Sequence, residues 1–399
     1  MNAGKPSRIF PEERKNRGRD ILVSILHTAD WQIGRVFSQF EPDDAAALFE
    51  ARFVAVERLA AIATERGVDA VLVAGDVFDA QTVSDKTIRR LFNAMRDFAD
   101  TWVLIPGNHD AALTESVWTR ALRIDAIPSN VLLCLEPKPL VVAGKFTLLP
   151  APLTQRHTHS DLTEWFSMAP GGDGLPRIGL AHGCVQGILP SDIDSANPIA
   201  AGRVQEAGLA YLALGDWHGT KRVDDRTWYA GTPETDRFKA NDSGQALYVS
   251  IAAEETTPVV ESVRTGKFSW RLLEAHIAVD SDVDGLVDTL NTAGSDDVLQ
   301  VRVSGTCNLA GHRKLTAALG VARAKMRAMV WDDAALRLEP TEEDIQTLHA
   351  DGFVGEVLQE LLAEQNGSDP ELARDAILAL ARVLDVQGLR AGAGAGAGA

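Results

Sequence analysis

Apolar residues recur along this chain in short, dense runs. They fill 21–29 (ILVSILHTA), 69–75 (DAVLVAG), 102–106 (WVLIP) and 177–181 (RIGLA), then 209–214 (LAYLAL), 227–230 (TWYA) and 246–251 (ALYVSI). Each run is too short for an ordinary helix and is bounded by Gly, Asp or Asn, so each predicts a strand. Between the first strands the period becomes helical. Residues 43–66 open on an aspartate and stop before Gly67, and 84–98 open on Ser84 as an N-cap. Strands alternating with helices predict an α/β sheet buried on both faces, with its chemistry on loops at the strand C-terminal ends.

The texture changes near residue 270. Residues 21–270 read as one domain. Residues 271–335 predict a small α/β cap: a strand, a helix at 284–292, a strand at 298–303, a helix at 312–319 and a strand at 322–330. Residues 336–386 hold two amphipathic helical stretches, 341–365 and 369–384, joined by QNGSD. Residues 387–399 end in AGAGAGAGA and predict a flexible tail. Residues 1–20 lack apolar periodicity and predict a flexible basic arm.

Composition narrows the class. At 399 residues, 45% apolar and 24% charged, the chain is neither wholly disordered nor collagen-like. No run approaches the roughly 18 charge-free apolar residues of a membrane helix. The first twenty residues have no apolar core, so no signal peptide is predicted. Cys134, Cys184 and Cys307 are widely spaced, which predicts a reducing compartment, the cytoplasm. The net charge of −17 argues mildly against autonomous DNA affinity. Its distribution qualifies that: residues 332–385 carry fourteen acidic and three basic side chains, so the first 270 are closer to balance.

Five segments, each just after a strand, hold most of the metal-binding side chains. They are Asp30-Trp31-Gln32, Gly75-Asp76-Val77-Phe78-Asp79, Gly107-Asn108-His109-Asp110, Ala181-His182-Gly183 and Gly215-Asp216-Trp217-His218-Gly219. Singly, a Gly-Asp or an Ala-His-Gly reads as a turn or a satisfied core histidine. Asn-His-Asp at a strand end has no packing role, and the ordered series is hard to obtain by chance. Two divalent ions roughly 3.5–4 Å apart can clamp a phosphate and activate water, and a shared carboxylate can bridge them.

The series resembles the calcineurin-like metallophosphoesterase superfamily. HTADWQIG, GDVFD, IPGNHD and YAGTPE (229–234) are similar, more narrowly, to SbcD-type DNA repair exonucleases. The likeness covers 21–235 well; the cap matches in type and position only. It implies a two-sheet sandwich flanked by helices, a cap domain, a helical partner-docking segment at 336–386, and two divalent ions, manganese before magnesium. Asp30, Gln32, Asp76 and His218 would hold the first ion, and Asp76, Asn108, His182 and Asp216 the second. His109 would protonate the leaving oxygen or stabilise the transition state, with Asp79 and Asp110 as supporting partners. Two positions depart from the family pattern: Gln32 replaces a histidine of D-x-H, and Asp216 the first histidine of G-H-x-H. Oxygen thus replaces nitrogen twice, which predicts a harder site less suited to zinc.

Arg35, Lys221 and Arg222 are candidate phosphate contacts, and solvated surface charge is an equal alternative. His27 reads as a core group or one beside the ligands, and His157 and His159 as a polar loop. Trp217 could stack on a base, although packing is the simpler role. The resemblance further implies DNA as substrate, an SMC-like ATPase of the SbcC type as partner, a nucleoid-associated cytoplasmic location, and room for a homodimer. Two other readings stay open: a small-molecule or nucleotide phosphodiesterase, and a non-catalytic scaffold with a degenerate metal site.

Overall fold

The structure, a computed structural model, describes residues 21–170, 174–188, 196–252, 257–341, 343–344 and 352–395. The arm read at 1–20 lies outside them, as do parts of the segments read at 336–386 and 387–399. In chain order the first elements are β1 (Ile21–Thr28), α1 (Pro42–Arg66), β2 (Ala70–Ala74), α2 (Asp85–Ala94), β3 (Thr101–Ile105), α3 (Val117–Arg123) and β4 (Val131–Leu133). Then come β5 (Leu140–Val142), β6 (Phe146–Ala151), β7 (Arg177–His182), β8 (Cys184–Val185), β9 (Pro198–Ile199), α4 (Arg203–Glu206) and β10 (Tyr211–Gly215). β11 (Lys221–Arg222), β12 (Thr227–Tyr229), β13 (Gln245–Ala252) and β14 (Val259–Arg264) follow. The chain continues with β15 (Ser269–Ile277), α5 (Asp280–Asn291), β16 (Asp297–Cys307), α6 (Leu309–Lys325) and β17 (Ala328–Leu338), and finishes with α7 (Phe353–Glu364) and α8 (Pro370–Ala395).

Two compact units divide the chain. The first runs to Gln32 and takes in Val56–Gly231 and Gln245–Arg264; the second takes in Ile33–Ala55, Thr232–Gly244 and the chain from Thr265 onward.

The first unit holds two six-stranded sheets, ordered β14-β13-β1-β2-β3-β4 and β11-β12-β10-β7-β6-β5. β1, β2 and β3 run parallel, as do β6, β7, β10 and β12. Alternate residues of both sheets (Ile25, Leu72 and Val103 from one; Leu148, Leu180 and Ala213 from the other) share one buried core. Val71 and Val73, on the opposite face of β2, are equally buried, so the strand is apolar throughout. That is why it reads as a continuous run rather than an alternation. The predicted α/β class and paired sheets are therefore present. β6 escapes the sequence reading because FTLLPA contains a proline. Pro150 is tolerated because β5 pairs only with residues 146–148, leaving that side of β6 an edge.

In the second unit β15, β16 and β17 form a parallel sheet with α5 and α6 packed on it through Leu286, Leu290, Leu315 and Ala322. The last strand differs from the sequence reading. Residues 322–325 complete α6, and β17 starts at Ala328 and runs to Leu338. Ala, Arg and Lys at these positions favour a helix, and Ala322 is buried one heptad after Leu315. Phe37, Phe40, Phe238 and Trp270 make a separate aromatic cluster in this unit. α7 and α8 close on Leu309 and Leu338, and the Gln365 amide bonds both ways to the Leu338 backbone at 2.9 and 2.7 Å. α8 continues to Ala395, into the Gly/Ala repeat read as a tail. No helix among the described residues is long and apolar enough to cross a membrane.

His27 is fully buried in β1, where its ring nitrogens face the Tyr211 hydroxyl at 3.0 Å and the Leu214 carbonyl at 3.2 Å. Burial pushes its pKa down to about 3, against a partial upward pull from the Leu214 carbonyl. The folded state therefore resists a proton that the unfolded chain accepts near its ordinary value of 6.5. Stability from this residue is complete above that value and drains as pH falls toward about 3. Urea titrations should show the parent losing about 2 kcal/mol more than His27→Gln between pH 7 and pH 5. Equal losses would show that His27 charges freely in the fold.

Candidate metal centre

Every loop of the site leaves the C-terminal end of a parallel strand of the first unit. Asp30 and Gln32 follow β1, Asp76 and Asp79 follow β2, and Asn108, His109 and Asp110 follow β3. His182 ends β7, and Asp216 and His218 follow β10. Asp30, Asp76 and Asp216 and also Gln32 take left-handed backbone angles, with φ of 53°, 52°, 105° and 42°. Non-glycine residues adopt these reluctantly, at a cost on the order of 1 kcal/mol each. Backbone hydrogen bonds hold the turns in place: Asp30 N–H donates to Gly75 O at 3.1 Å and Gln32 N–H to Asp76 O at 2.9 Å. Trp31, buried between the two polar residues, anchors the first loop by donating to Thr28 Oγ1 at 3.0 Å and standing edge-on to Trp102.

Asp76 is the hub. The His109 N–H donates to its Oδ1 at 2.9 Å, and His182 Nε2 stands 3.6 Å from the same oxygen. The inward atom of the Asn108 amide lies 3.0 Å from His182 Nε2 and 3.0 and 3.1 Å from the two Asp76 oxygens. Asp216 Oδ1 is 3.7 Å from His182 Nε2, and the Asp216 N–H donates to the Asp30 carboxylate at 3.1 and 3.3 Å. Gln32 Nε2 meets His218 Nε2 at 3.2 Å. Among the described residues, the ligand atoms of Asp30, Asp76 and His182 lie within 4.8 Å of one another.

Electrostatics show what this arrangement lacks. Burial raises Asp30 to about 6, and burial with the nearby Asp76 charge raises Asp110 to about 7. Burial also raises Asp216. For His182 burial works downward, but Asp76, Asp216 and Asp30 outweigh it and hold the imidazole at about 9. Acids packed in a dry interior call for counter-charge. The donor chemistry fits a divalent cation on two further grounds. His182 gives its Nδ1 hydrogen to Ala74 O at 2.8 Å, which leaves Nε2 to face the site. The Asn108 amide, the Asp76 carboxylate and His182 Nε2 also converge, at separations of 3.0 to 3.6 Å, so oxygen and nitrogen donors meet at one place.

Supporting groups divide unevenly. Asp110 lies beneath the site, accepting from Gly107 N at 2.7 Å and Phe78 N at 3.1 Å. Asp79 acts through its backbone, whose oxygen is 2.8 Å from His109 Nδ1. That bond aims His109 Nε2 toward Asp76 Oδ2, 3.9 Å away, with about a third of the side chain open to solvent. Of the candidate phosphate contacts, Arg222 pairs with Asp225 and lies over Trp228, and Lys221 Nζ sits 5.9 Å from the Trp217 ring. Arg35 belongs to the second unit, where it pairs with Asp236 at 3.1 Å. Sequence reading passes over the Trp31 anchor. It also passes over Trp118, which donates to Asp110 O and packs edge-on against Phe78. Both look like ordinary core residues.

Gly107 is dictated by its neighbour. A Cβ there would lie 2.2 Å from Asp76 Oδ1 and 2.4 Å from Asp76 N. Gly107→Ala should therefore displace Asp76 and weaken metal binding at least tenfold by isothermal titration calorimetry, with the far-UV circular dichroism spectrum retained. Unchanged affinity would free Asp76 from the hub position.

The family model described as calcineurin-like phosphoesterase matches residues 23–249. A stretch of 95 residues is 38% identical to the D component of the nuclease SbcCD from Rhodobacter capsulatus. It amounts to 23% of this chain and 22% of that protein, so the likeness spans under a quarter of the relative's length. The crystal structure of TT1561 of Thermus thermophilus compares at a TM-score of 0.39 and 12% identity, covering 61% of this chain and 99% of that one. With the family match running over more than half of the chain and across all five site loops, this chain belongs to the calcineurin-like phosphoesterase family.

Proposed function

We propose that this chain is a dimetal phosphodiesterase that cleaves DNA. The supporting observation is the cluster around Asp76 and His182, where the Asn108 amide, an imidazole and the Asp76 and Asp216 carboxylates converge. The limited identity to a nuclease component supports DNA as the substrate. Asp30, Gln32, Asp76 and His218 line one half of the site, and Asp76, Asn108, His182 and Asp216 the other. Bound there, divalent cations supply charge neutralisation at the phosphate and an activated water. The oxygen-rich donors favour manganese, then magnesium, over zinc.

The remaining work falls to side chains. Asp79 O fixes the His109 ring so that Nε2, when protonated, can deliver a proton to the leaving 3′ oxygen. Asp110 ties the loops after β2 and β3 together, keeping His109 at a fixed distance from Asp76. In the second unit, α7 and α8 expose Phe353, Leu372 and Val383 while burying Leu358 and Ile377. Residues 336–386 would dock an SMC-like ATPase through that apolar surface, and the complex would work on the nucleoid.

With manganese, the parent should hydrolyse both bis-p-nitrophenyl phosphate and a labelled duplex, and zinc should support both poorly. Asp76→Asn should lose metal and nearly all turnover. His109→Ala should retain metal and lose about a hundredfold or more in rate. Hydrolysis of the small ester alone would indicate a nucleotide or small-molecule phosphodiesterase. Hydrolysis of neither would indicate a scaffold.

The docking surface has its own test. Phe353→Asp combined with Leu372→Asp should abolish co-elution with the ATPase on gel filtration and leave ester turnover within twofold of the parent. Co-elution of the double variant would place the partner elsewhere.

A further inference from the structure

A cavity of about 340 Å³ lies beside the metal centre in the first unit, bounded by Pro137, Pro152, Leu162, Trp165 and Met168. That volume, with mostly apolar walls, suits a small ligand. Trp165, in the short 3-10 turn Glu164–Ser167, is half-buried. It packs on the core that holds Leu149 and Phe166, stands edge-on to the Phe166 ring at 5.2 Å, and still lines the cavity. Met168 lines the same cavity and is 78% exposed, so packing within the fold does not account for it.

Strand pairing ties this cavity to the metal centre. Ala151 also lines it, and Ala151 pairs with Ala181, the residue before His182. Neighbouring strands lie ~4.8 Å apart, so the cavity begins one strand away from His182, at the same end of the sheet. The segment after β6 is bonded in turn to the loop that carries Asn108 and His109. Leu153 N–H donates to Pro106 O at 3.3 Å, and Ala112 N–H donates to Leu153 O at 2.8 Å. Nucleotides repeat every ~3.4 Å along a DNA strand, so one that flanks a phosphate at the metal centre is within reach of the cavity.

Charge decides what can enter. Among the described residues, two carboxylates line the cavity and no basic side chain does. Asp161 is committed within the fold, accepting from Thr163 N, Ala200 N and Arg203 Nη2 at 2.8 to 2.9 Å. Glu164 is exposed. A backbone phosphate would be repelled here, whereas a neutral planar ring with amino hydrogens finds apolar faces and an acceptor at its edge. Building on the DNA-cleaving reading above, we propose that this cavity seats a nucleobase next to the scissile phosphate, with Trp165 and Met168 against its ring and Glu164 at its edge. The cavity then selects nucleic acid over simple phosphodiesters by binding rather than by chemistry.

Titrating the metal-free full chain with 2′-deoxyadenosine, followed by tryptophan fluorescence, tests this, because the uncharged nucleoside needs no cation. The parent should show saturable quenching that millimolar inorganic phosphate does not displace. The chain has eight tryptophans, so Trp165→Phe identifies the reporter and should lose most of the quench. Met168→Glu, at an exposed position, should keep the parent's circular dichroism spectrum and bind the nucleoside about fivefold more weakly or worse. In manganese it should raise KM for a labelled duplex by a similar factor, with kcat within twofold. A parent without quenching, displacement by phosphate, full quenching in Trp165→Phe, or an unchanged duplex KM in Met168→Glu would overturn the proposal. Duplex cleavage by a parent that binds no nucleoside would end this inference alone. Nucleoside binding without duplex cleavage would keep the nucleobase site and end the DNA-cleaving reading instead.

Discussion

Three carboxylates held out of water in one small volume set the terms for the rest of the first unit. Asp30, Asp76 and Asp110 are at most 2% exposed, and burying such groups without compensation costs several kcal/mol each. Part of the compensation is local. Asp110 takes two backbone N–H groups, Asp30 takes the Asp216 N–H, and Asp76 takes that of His109. What hydrogen bonds leave unbalanced appears as raised carboxyl pKa values and a His182 held at about 9. A protein without a use for that imbalance would replace the cluster with packed apolar residues at little cost.

Keeping the carboxylates together requires strands that end at the same level and loops that turn sharply. Parallel pairing meets the first requirement: β1, β2 and β3 in one sheet, and β7 and β10 in the other, each end on one side of their sheet. The second is met by strain. Left-handed backbone at Asp30, Gln32, Asp76 and Asp216 turns each side chain inward immediately after its strand. Glycine would adopt those angles freely but bring no donor. The glycines stand alongside instead: at Gly75, with φ of 85°, a Cβ would come within 2.4 Å of His182 Nδ1.

The sequence makes these loops legible because their chemistry violates ordinary composition. Asn-His-Asp after an apolar strand has no packing rationale, and its place in a series of similar violations points to a site before any geometry is known. The apolar runs of β1, β2, β3, β7 and β10 are legible for the related reason that strands buried on both faces admit little but aliphatic residues. Where the chain is less constrained, the pattern fades. β4 and β5 are three residues long, β6 carries a proline, and α6 continues past Val321, whose β-branched side chain suggests a strand. Trp31 and Trp118 are invisible as site components because their role is to hold backbone, and any buried tryptophan looks the same in one dimension.

Residue identity alone also misjudges Gln32 and Asp216. Counted as donors, both substitute oxygen for nitrogen, and the two changes look alike. In the fold they differ. Asp216 brings charge to His182 and its backbone N–H to Asp30, so it strengthens the half that contains Asn108. Gln32 brings a neutral amide to 3.2 Å from His218 Nε2 and adds no charge to its half. A carboxylate can only accept when ionised, whereas an amide can turn either atom toward its neighbour. The departure at Asp216 therefore brings charge, and the one at Gln32 brings a neutral group that can donate or accept. Asn108, an amide open to the same choice, stands 3.0 Å from His182 Nε2 and 3.0 and 3.1 Å from the two Asp76 oxygens. The charge around each amide, rather than the amide itself, decides which of its atoms turns inward.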